Sequence, residues 1–376
     1  AAAIWGSRGA NGVINIITRK KKEDGVNTNI NVGYGLYNTL QTEITNQFRK
    51  KRFSSTISAS YNRSDGHREN MDYQQYGGYA RLNFDISDNW ETHADVNVTH
   101  IDANNPGSVN APLVDAKQSV TRGISSLSLQ NKYEKTEGNI SFFVNWGRHW
   151  LNDGYTVDTT DKNDPKMYRF DSHDKLLGIS ASQAVRFFKG NKTTFGMDWY
   201  HTGGIAQNTF VEGPKEGDHK VLVDKFEDEI TGYVDFRQDI QHWLSLEAGI
   251  RVDHHSEIGT EWIPQAGLAF HMPHKIDLKL SATKGFRFPT IKDMYFGGAA
   301  NPDLQSESMW NYELGFSQKL IDNKLTYGIQ VFYIDGKDII TTVPVDGKSL
   351  NMNTGEIKNA GVEANVNYHI SEHWAV

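Results

Sequence analysis

Leu244-Ser245-Leu246-Glu247-Ala248-Gly249-Ile250-Arg251-Val252-Asp253 is the stretch from which the fold can be read. Leucine, leucine, alanine, isoleucine and valine take every second place, and serine, glutamate, glycine, arginine and aspartate take the places between. A helix would scatter the two sets around its axis, whereas a strand sends alternate side chains to opposite faces. The segment therefore reads as a strand with one face suited to lipid and the other to water. The alternation recurs in Trp90, Thr92, Ala94, Val96 and Val98 against Glu91, His93, Asp95, Asn97 and Thr99. It returns in Ile276, Leu278, Leu280 and Ala282 against Asp277, Lys279, Ser281 and Thr283, and again in Val362, Ala364, Val366 and Tyr368.

What joins the strands narrows the choice. Short polar turns stand at 49–52, 87–89, 134–138, 189–192, 239–241, 273–275, 321–324 and 371–373. Between them come longer connections at 64–75, 102–120, 151–172, 204–222, 287–307 and 335–357, with short exceptions near Gly35 and Ser256. Tight turns on one side and long loops on the other are the pattern of bacterial outer-membrane barrels, with the turns periplasmic and the loops extracellular. A soluble sandwich has no need of that asymmetry. The rhythm predicts an all-β fold, a large antiparallel transmembrane barrel with about sixteen strands and the start of another. Trp90, Trp146, Trp150, Trp199, Tyr200, Trp243, Trp262 and Trp374 fall where strands should meet the interfaces and are expected to form aromatic girdles.

Composition agrees and removes other classes. The 376 residues allow two or three soluble domains or one large barrel. A net charge of -7 does not suit a nucleic-acid binder. Mean hydropathy is negative, and no run approaches the roughly 20 apolar residues of a membrane helix, yet alternating strands escape such a scan. With no cysteine there are no disulfides, thiolate metal sites or cysteine nucleophiles. The chain opens on Ala1-Ala2-Ala3-Ile4-Trp5 without a basic leader and stops just after a turn, and is expected to be a fragment.

One segment stands outside the rhythm. In Ile4-Trp5-Gly6-Ser7-Arg8-Gly9-Ala10-Asn11-Gly12-Val13-Ile14-Asn15-Ile16-Ile17-Thr18-Arg19-Lys20, three glycines allow a compact turn and Val13 to Ile17 reads as a buried strand. Its glycines precede a strand instead of linking strand to helix, which excludes a dinucleotide-binding loop. This segment, with Gly6, Ser7, Arg8, Gly9 and Gly12 as its motif, closely resembles the last element of the plug domain in TonB-dependent outer-membrane receptors. A second resemblance to that family lies in Gly285-Phe286-Arg287-Phe288-Pro289-Thr290, Asn301-Pro302-Asp303-Leu304 and Trp310-Asn311-Tyr312-Glu313-Leu314-Gly315. Asn359-Ala360-Gly361-Val362-Glu363 also resembles a strand of the family.

The resemblance implies residues 1–22 as the end of a plug and 23–376 as a barrel incomplete at its C-terminus, with the basic run Arg19 to Lys22 as both linker and solvated charge. It implies about 22 strands in the full-length barrel. It further implies active uptake of a scarce metal chelate at the outer membrane, driven by the TonB-ExbB-ExbD complex through an N-terminal region outside this chain. A ferric siderophore is the first expectation; cobalamin or haem follow, then SusC-like glycan import or a passive porin. Haem receptors of the family carry a histidine between the two boxes, and here the interval from Thr290 to Ala300 holds Tyr295 and Phe296 but no histidine.

Arg287, Tyr295, Phe296 and Asn301 are the first candidates for ligand contact, with Tyr155, Tyr168 and Phe210 in other loops. Arginine and exposed aromatics suit an anionic aromatic chelate. Arg287 and Asn301 could equally order their own loop, and Phe286 and Pro289 are expected to be structural. No cofactor or metal site is expected: His254, His255, His271 and His274 read as solvated polar residues. No hydrolase elbow, zinc helix or phosphate loop is found, and Glu227 and Glu229, with Asp228 opposite, read as a water-facing wall instead of a catalytic pair, so the chain is not expected to be an enzyme.

Overall fold

A computed structural model describes residues 20–152, 155–156, 168–211 and 213–376. The plug motif at Gly6 to Gly12 lies outside the described residues. The strands are β1 (Gly25–Gly35), β2 (Thr39–Lys50), β3 (Phe53–Ser64), β4 (Tyr73–Asp85) and β5 (Trp90–Asn104). The short β6 (Gly107–Ser108) and β7 (Ala111–Val114) precede β8 (Lys117–Lys132) and β9 (Thr136–Asn152). After the short β10 (Tyr155–Thr156) come β11 (Tyr168–Val185), β12 (Asn191–Phe210), β13 (His219–Ile240), β14 (Leu244–His255) and β15 (Gly259–Met272). The last four are β16 (Ile276–Arg287), β17 (Glu307–Leu320), β18 (Leu325–Val345) and β19 (Lys348–Tyr368), with one helix, α1 (Ile291–Tyr295), between β16 and β17. All but β6, β7 and β10 join one 16-stranded antiparallel sheet in which sequence neighbours are spatial neighbours. The start of a further strand follows, with His369 bridged to Ala375.

The sheet is inside out relative to a soluble protein. On β13, Phe226, Ile230, Val234 and Phe236 are exposed, while Glu227, Glu229, Thr231, Tyr233 and Asp235 between them are buried. On β14, Ile250 is exposed, whereas the Arg251 and Asp253 side chains are 1% and 0% accessible. Arg251 Nε donates to Asp253 at 2.9 Å, its Nη1 to Asp198 at 3.0 Å and its Nη2 to Thr231 at 2.9 Å. Charges so enclosed are tolerable only when paired and hydrogen-bonded. The polar face is thus a lumen wall on which the buried Arg251 charge is met from β12, β13 and β14, and the apolar face is the lipid side. Glu227 and Glu229 belong to that lumen wall.

Close approach on both faces is set by glycines opposite aromatic rings. Gly123 is paired with Trp146 and Gly196 with Tyr233, and in each case the ring occupies the place a Cβ would take. Girdle residues Trp146, Trp243, Trp262 and Trp374 are exposed, and Trp90 donates from Nε1 to the Tyr133 hydroxyl at 2.7 Å. Tyr200 departs from the girdle expectation. It follows Trp199 directly, so strand parity turns it to the lumen, where it packs on Phe143 with ring centroids 6.0 Å apart.

The expected short turns are all present, but two expected loops are mostly strand. Positions 204–222 carry the ends of β12 and β13, leaving a connection only from 211 to 218. Positions 335–357 form a hairpin closed by Asp346 and Gly347, with φ of 49° and 77°. Positive φ at both central residues is what a two-residue hairpin turn demands, and an Asp-Gly pair supplies it. The polar strand residues beyond the membrane resemble loop in composition because both of their faces meet water.

Placement of the wall in a bilayer can be tested by depth. Val234→Arg, near mid-height on the lipid face of β13, is expected to destabilise the full-length protein in vesicles by about 2–4 kcal/mol, against about 0–1 kcal/mol for Ile240→Arg at the periplasmic rim. Denaturant unfolding from lipid vesicles measures both, and equal costs would contradict the membrane placement.

Candidate functional site

The long-loop end of the lumen is organised by the connection from 288 to 306. Gly285 to Thr290 continues β16 inward, and Phe286, Phe288 and Pro289 are buried. Phe286 and Phe288 meet edge to face at 4.9 Å and pack with Ile263, the apolar core cluster of the described residues. Met294 and Leu304 are each 1% exposed, so the connection carries its own apolar anchors. Thr290 caps α1: the Asp293 backbone N–H donates to Thr290 Oγ1 at 3.1 Å, and the Thr290 N–H donates to Asp293 Oδ2 at 2.9 Å.

Arg287 locks this unit to its neighbours. Its Nε and Nη2 donate to the two carboxylate oxygens of Glu307 at 2.7 and 2.8 Å, and Nη1 donates to Asp293 Oδ2 at 3.0 Å. Glu307 also accepts the Ile340 backbone N–H at 2.7 Å, which brings in β18. A bidentate arginine fork of this kind fixes orientation as well as distance. Asn301 Nδ2 donates to the Asn351 carbonyl at 2.8 Å, and Asn351 Nδ2 returns a bond to the Asp293 carbonyl at 3.1 Å. Asn353 Nδ2 donates to the Gln305 carbonyl at 2.8 Å. Arg287 and Asn301 therefore order the loop and dock it on the β18–β19 hairpin, the alternative stated for them above.

The aromatic candidates behave differently. Tyr168 and Phe210 are direct cross-strand partners on β11 and β12, with rings 6.0 Å apart. Phe170, two residues on and thus on the same face, lies 6.3 Å from Phe296. Five strand steps separate β11 from β16, about 24 Å across a flat sheet, so the connection reaches over a concave wall. Lys215 stands over the Phe210 ring at 5.7 Å and Lys225 over the Tyr295 ring at 4.5 Å. The Tyr295 hydroxyl donates to Glu257 at 3.2 Å. Burial, and then the Glu257 carboxylate, push that hydroxyl above its ordinary pKa. Tyr168, Phe170, Phe210 and Phe296 form one aromatic row with lysines beside it. Tyr155 pairs through its backbone with Val114, away from β11 in the sheet order.

Phe170, Lys215 and Lys225 escaped the sequence reading. Strand parity from Tyr168 would have found Phe170, but no local pattern marks the lysines. His255 also differs from expectation: it is buried, 3.5 Å from Glu227 and 4.7 Å from the Phe288 ring, because β14 parity points it into the lumen. His271 is held by Asp277 at 2.5 Å. Lys20, from the basic run, meets Asp85 at 2.6 Å and Glu91 at 3.0 Å, so it is tied to the periplasmic rim instead of being simply solvated. Among the described residues no group of three or more histidine or acidic side chains is placed to hold a metal.

Residues 121–376 match the family model described as TonB dependent receptor-like, beta-barrel. The chain belongs to the TonB-dependent receptor family. It is accordingly a multi-pass β-barrel protein of the bacterial outer membrane. It is 22% identical over 415 residues to the iron-regulated outer membrane virulence protein of Vibrio cholerae, covering 99% of this chain and 59% of that protein. It is 28% identical over 131 residues to the vitamin B12 transporter BtuB of Photobacterium profundum, covering 33% of this chain and 21% of the transporter. The receptor thus spans less than two thirds of either relative's length. Among solved structures, the ferric enterobactin receptor PfeA of Pseudomonas aeruginosa shares the fold with a TM-score of 0.78 at 15% identity, covering 98% of this chain and 63% of that one. The copper transporter OprC gives 0.77 at 11% identity, covering 95% and 61%.

The lock around Asp293 has a pH signature. Burial opposes ionisation there, but the Thr290 N–H and the Arg287 guanidinium outweigh it and hold the carboxyl below its ordinary pKa. A depressed carboxyl stabilises the fold at pH above its unfolded value near about 4, and that contribution is lost as pH falls through the folded value. Hydrogen exchange is expected to find the 288–306 connection equally protected from neutral pH down to about 5 and progressively less below about 4. Asp293→Asn should lower protection at neutral pH and flatten the dependence; an unchanged acid profile in that variant would assign it elsewhere.

Proposed function

We propose that this receptor imports a ferric chelate of the siderophore type. The observation that carries the reading is the aromatic row of Tyr168, Phe170, Phe210 and Phe296 at the lumen's outer end, with Lys215 over Phe210 and Lys225 over the neighbouring Tyr295. Flat rings with cations beside them suit an anionic chelate with aromatic arms, through stacking and charge together. Arg287 and Asn301 take part by holding Tyr295 and Phe296 in place. The relative named as iron-regulated, matched over 99% of the chain, supports the same class.

In this reading residues 1–22 close a plug domain and residues 23–376 supply most of a barrel of about 22 strands. The plug is worked by the TonB-ExbB-ExbD complex through a region preceding this chain. Physical necessity supports that coupling. A ligand held tightly from dilute solution does not leave unaided, and the site must be altered by work done elsewhere, since bound ligand stabilises whichever state binds it better. Cobalamin is the second reading, favoured by the likeness to BtuB.

Growth of a host dependent on the full-length receptor decides between them. Ferric siderophore, cobalamin and haem are supplied separately, with and without a working motor. Rescue by a ferric siderophore only with the motor is expected, and Phe170→Ala with Phe296→Ala should raise the concentration needed by roughly one to two orders of magnitude, given about 1–3 kcal/mol of packing lost on removing a stacked ring. Rescue by cobalamin alone would move the cargo to the second reading, and rescue without the motor would leave a passive pore.

A further inference from the structure

The lipid face of β8, β9 and β11 near the periplasmic rim departs from a plain apolar wall. Register places Trp90, Asn131, Gly138, Gln183 and Phe195 in one row across five adjacent strands of the sheet. One residue pair deeper into the membrane, Leu129, Ile140, Ala181 and Met197 form the next row on the same face. Ile140, Phe195 and Met197 are exposed, which identifies that face as the lipid side. The rows differ in height. Trp90 and Phe195 stand about 19 Å apart across four strand steps, while Gly138 between them has no side chain and Ala181 only a methyl. The result is a furrow of about 440 Å³ with aromatic walls.

The floor of the furrow is polar where it meets the rim. Asn131 Nδ2 donates to Gln183 Oε1 at 3.2 Å, and Gln183 Nε2 returns the bond to Asn131 Oδ1 at 3.4 Å, across the gap that Gly138 leaves. A Cβ at Gly138 would run into the Gln183 amide, so the glycine and the amide pair come as a set. Each amide nitrogen carries a second N–H beyond the one used in the pair. Amide donors on a lipid-facing wall make sense where ester carbonyls of a lipid come within reach. Just beyond lie two turns joined by the Arg186 N–H donating to the Lys135 carbonyl at 2.8 Å. They carry Lys135, Arg186, Lys189 and Glu134, all exposed; Arg186 is paired with Glu137 at 3.8 Å, which leaves Lys135 and Lys189 as the cations of the turns. Phe187, Phe188 and Tyr133 on the same turns are exposed rings at headgroup level.

We propose that this furrow holds one anionic glycerophospholipid of the periplasmic leaflet. Its acyl chains lie between Trp90 and Phe195 over Ala181, its ester carbonyls accept from the Asn131–Gln183 pair, and its phosphate meets Lys135 and Lys189. Three levels of the site match three parts of one molecule in order: apolar, then amide donor, then cation. Charge complementarity selects an anionic head, since each basic residue near such a head strengthens binding by roughly fivefold. No uptake step is involved, so the inference stands apart from the cargo.

The test is native mass spectrometry of the detergent-purified full-length receptor titrated with phosphatidylglycerol, phosphatidylethanolamine or diacylglycerol. One phosphatidylglycerol per barrel should survive activation that strips the others, with an affinity about tenfold or more above phosphatidylethanolamine. Lys135→Glu with Lys189→Glu should remove that preference, Asn131→Leu with Gln183→Leu should weaken both phospholipids, and Ala181→Trp should abolish retention by filling the furrow. Heat-modifiable migration of each variant in gels confirms that it is folded. Equal retention of all three lipids, or unchanged retention in folded Ala181→Trp, would reduce the furrow to ordinary annular lipid and overturn the proposal.

Discussion

Everything in this receptor follows from the demand that a backbone crossing hydrocarbon satisfy its own N–H and C=O groups. The continuous antiparallel ladder through sixteen strands meets that demand along the whole sheet except at the outer sides of β1 and β19, where among the described residues only Tyr368, at the end of β19, finds a partner in Val376. Once the ladder is fixed, parity is fixed, and parity decides which side chains meet lipid. Ile230 and Val234 then have to be apolar because they are outside, and Thr231 and Asp235 can be polar because they are inside. Hydrophobic burial, the usual organiser of a soluble fold, is confined here to small clusters such as Ile263, Phe286 and Phe288.

Inverting the protein in this way transfers the packing problem to polar groups. Water is crowded out of the Arg251, Asp198 and Asp253 cluster, so its charges depend on each other and on Thr231, with Arg251 also facing the Tyr233 ring at 5.6 Å. Losing the arginine would strand two buried carboxylates, a larger penalty than the pair's own net worth. Nor is the cluster separable from the packing around it. Tyr233 lies over Gly196, two residues before Asp198, so ring, glycine and ion pair occupy a single stretch of wall.

The sequence displayed the strands because a half-wetted strand must alternate, and it displayed the turns because polar residues crowd where the chain reverses. It was weakest above the membrane. There both faces of β12, β13, β18 and β19 meet water, alternation fades, and strand looks like loop until Asp346-Gly347 is recognised as a hairpin turn. Single-residue parity was also available and unused: Tyr200 beside Trp199, and His255 beside His254, had to face opposite ways. The aromatic row was only half legible. Tyr168, Phe210 and Phe296 stood out as loop aromatics, but Lys225 is a strand residue that meets Tyr295 only because the 288–306 connection folds inward, and nothing local to either residue records that contact.

That inward fold bears on where selectivity can reside. The two boxes with family resemblance spend their polar groups on structure: Arg287 on Glu307 and Asp293, Asn301 on Asn351, Thr290 on the cap of α1. Side chains already saturated by partners offer a ligand little, and displacing them would release the loop that positions everything else. Under the proposed function the discriminating chemistry therefore falls to residues with free faces and few obligations, such as Phe296, Phe170 and Tyr168. Their rings are held by packing against other rings while the backbone of Tyr168 and Phe170 stays in the ladder, so the side chains can change without disturbing it. A rigid, self-satisfied pedestal carrying an exchangeable aromatic surface is what one barrel needs if its wall is to stay constant while its cargo varies.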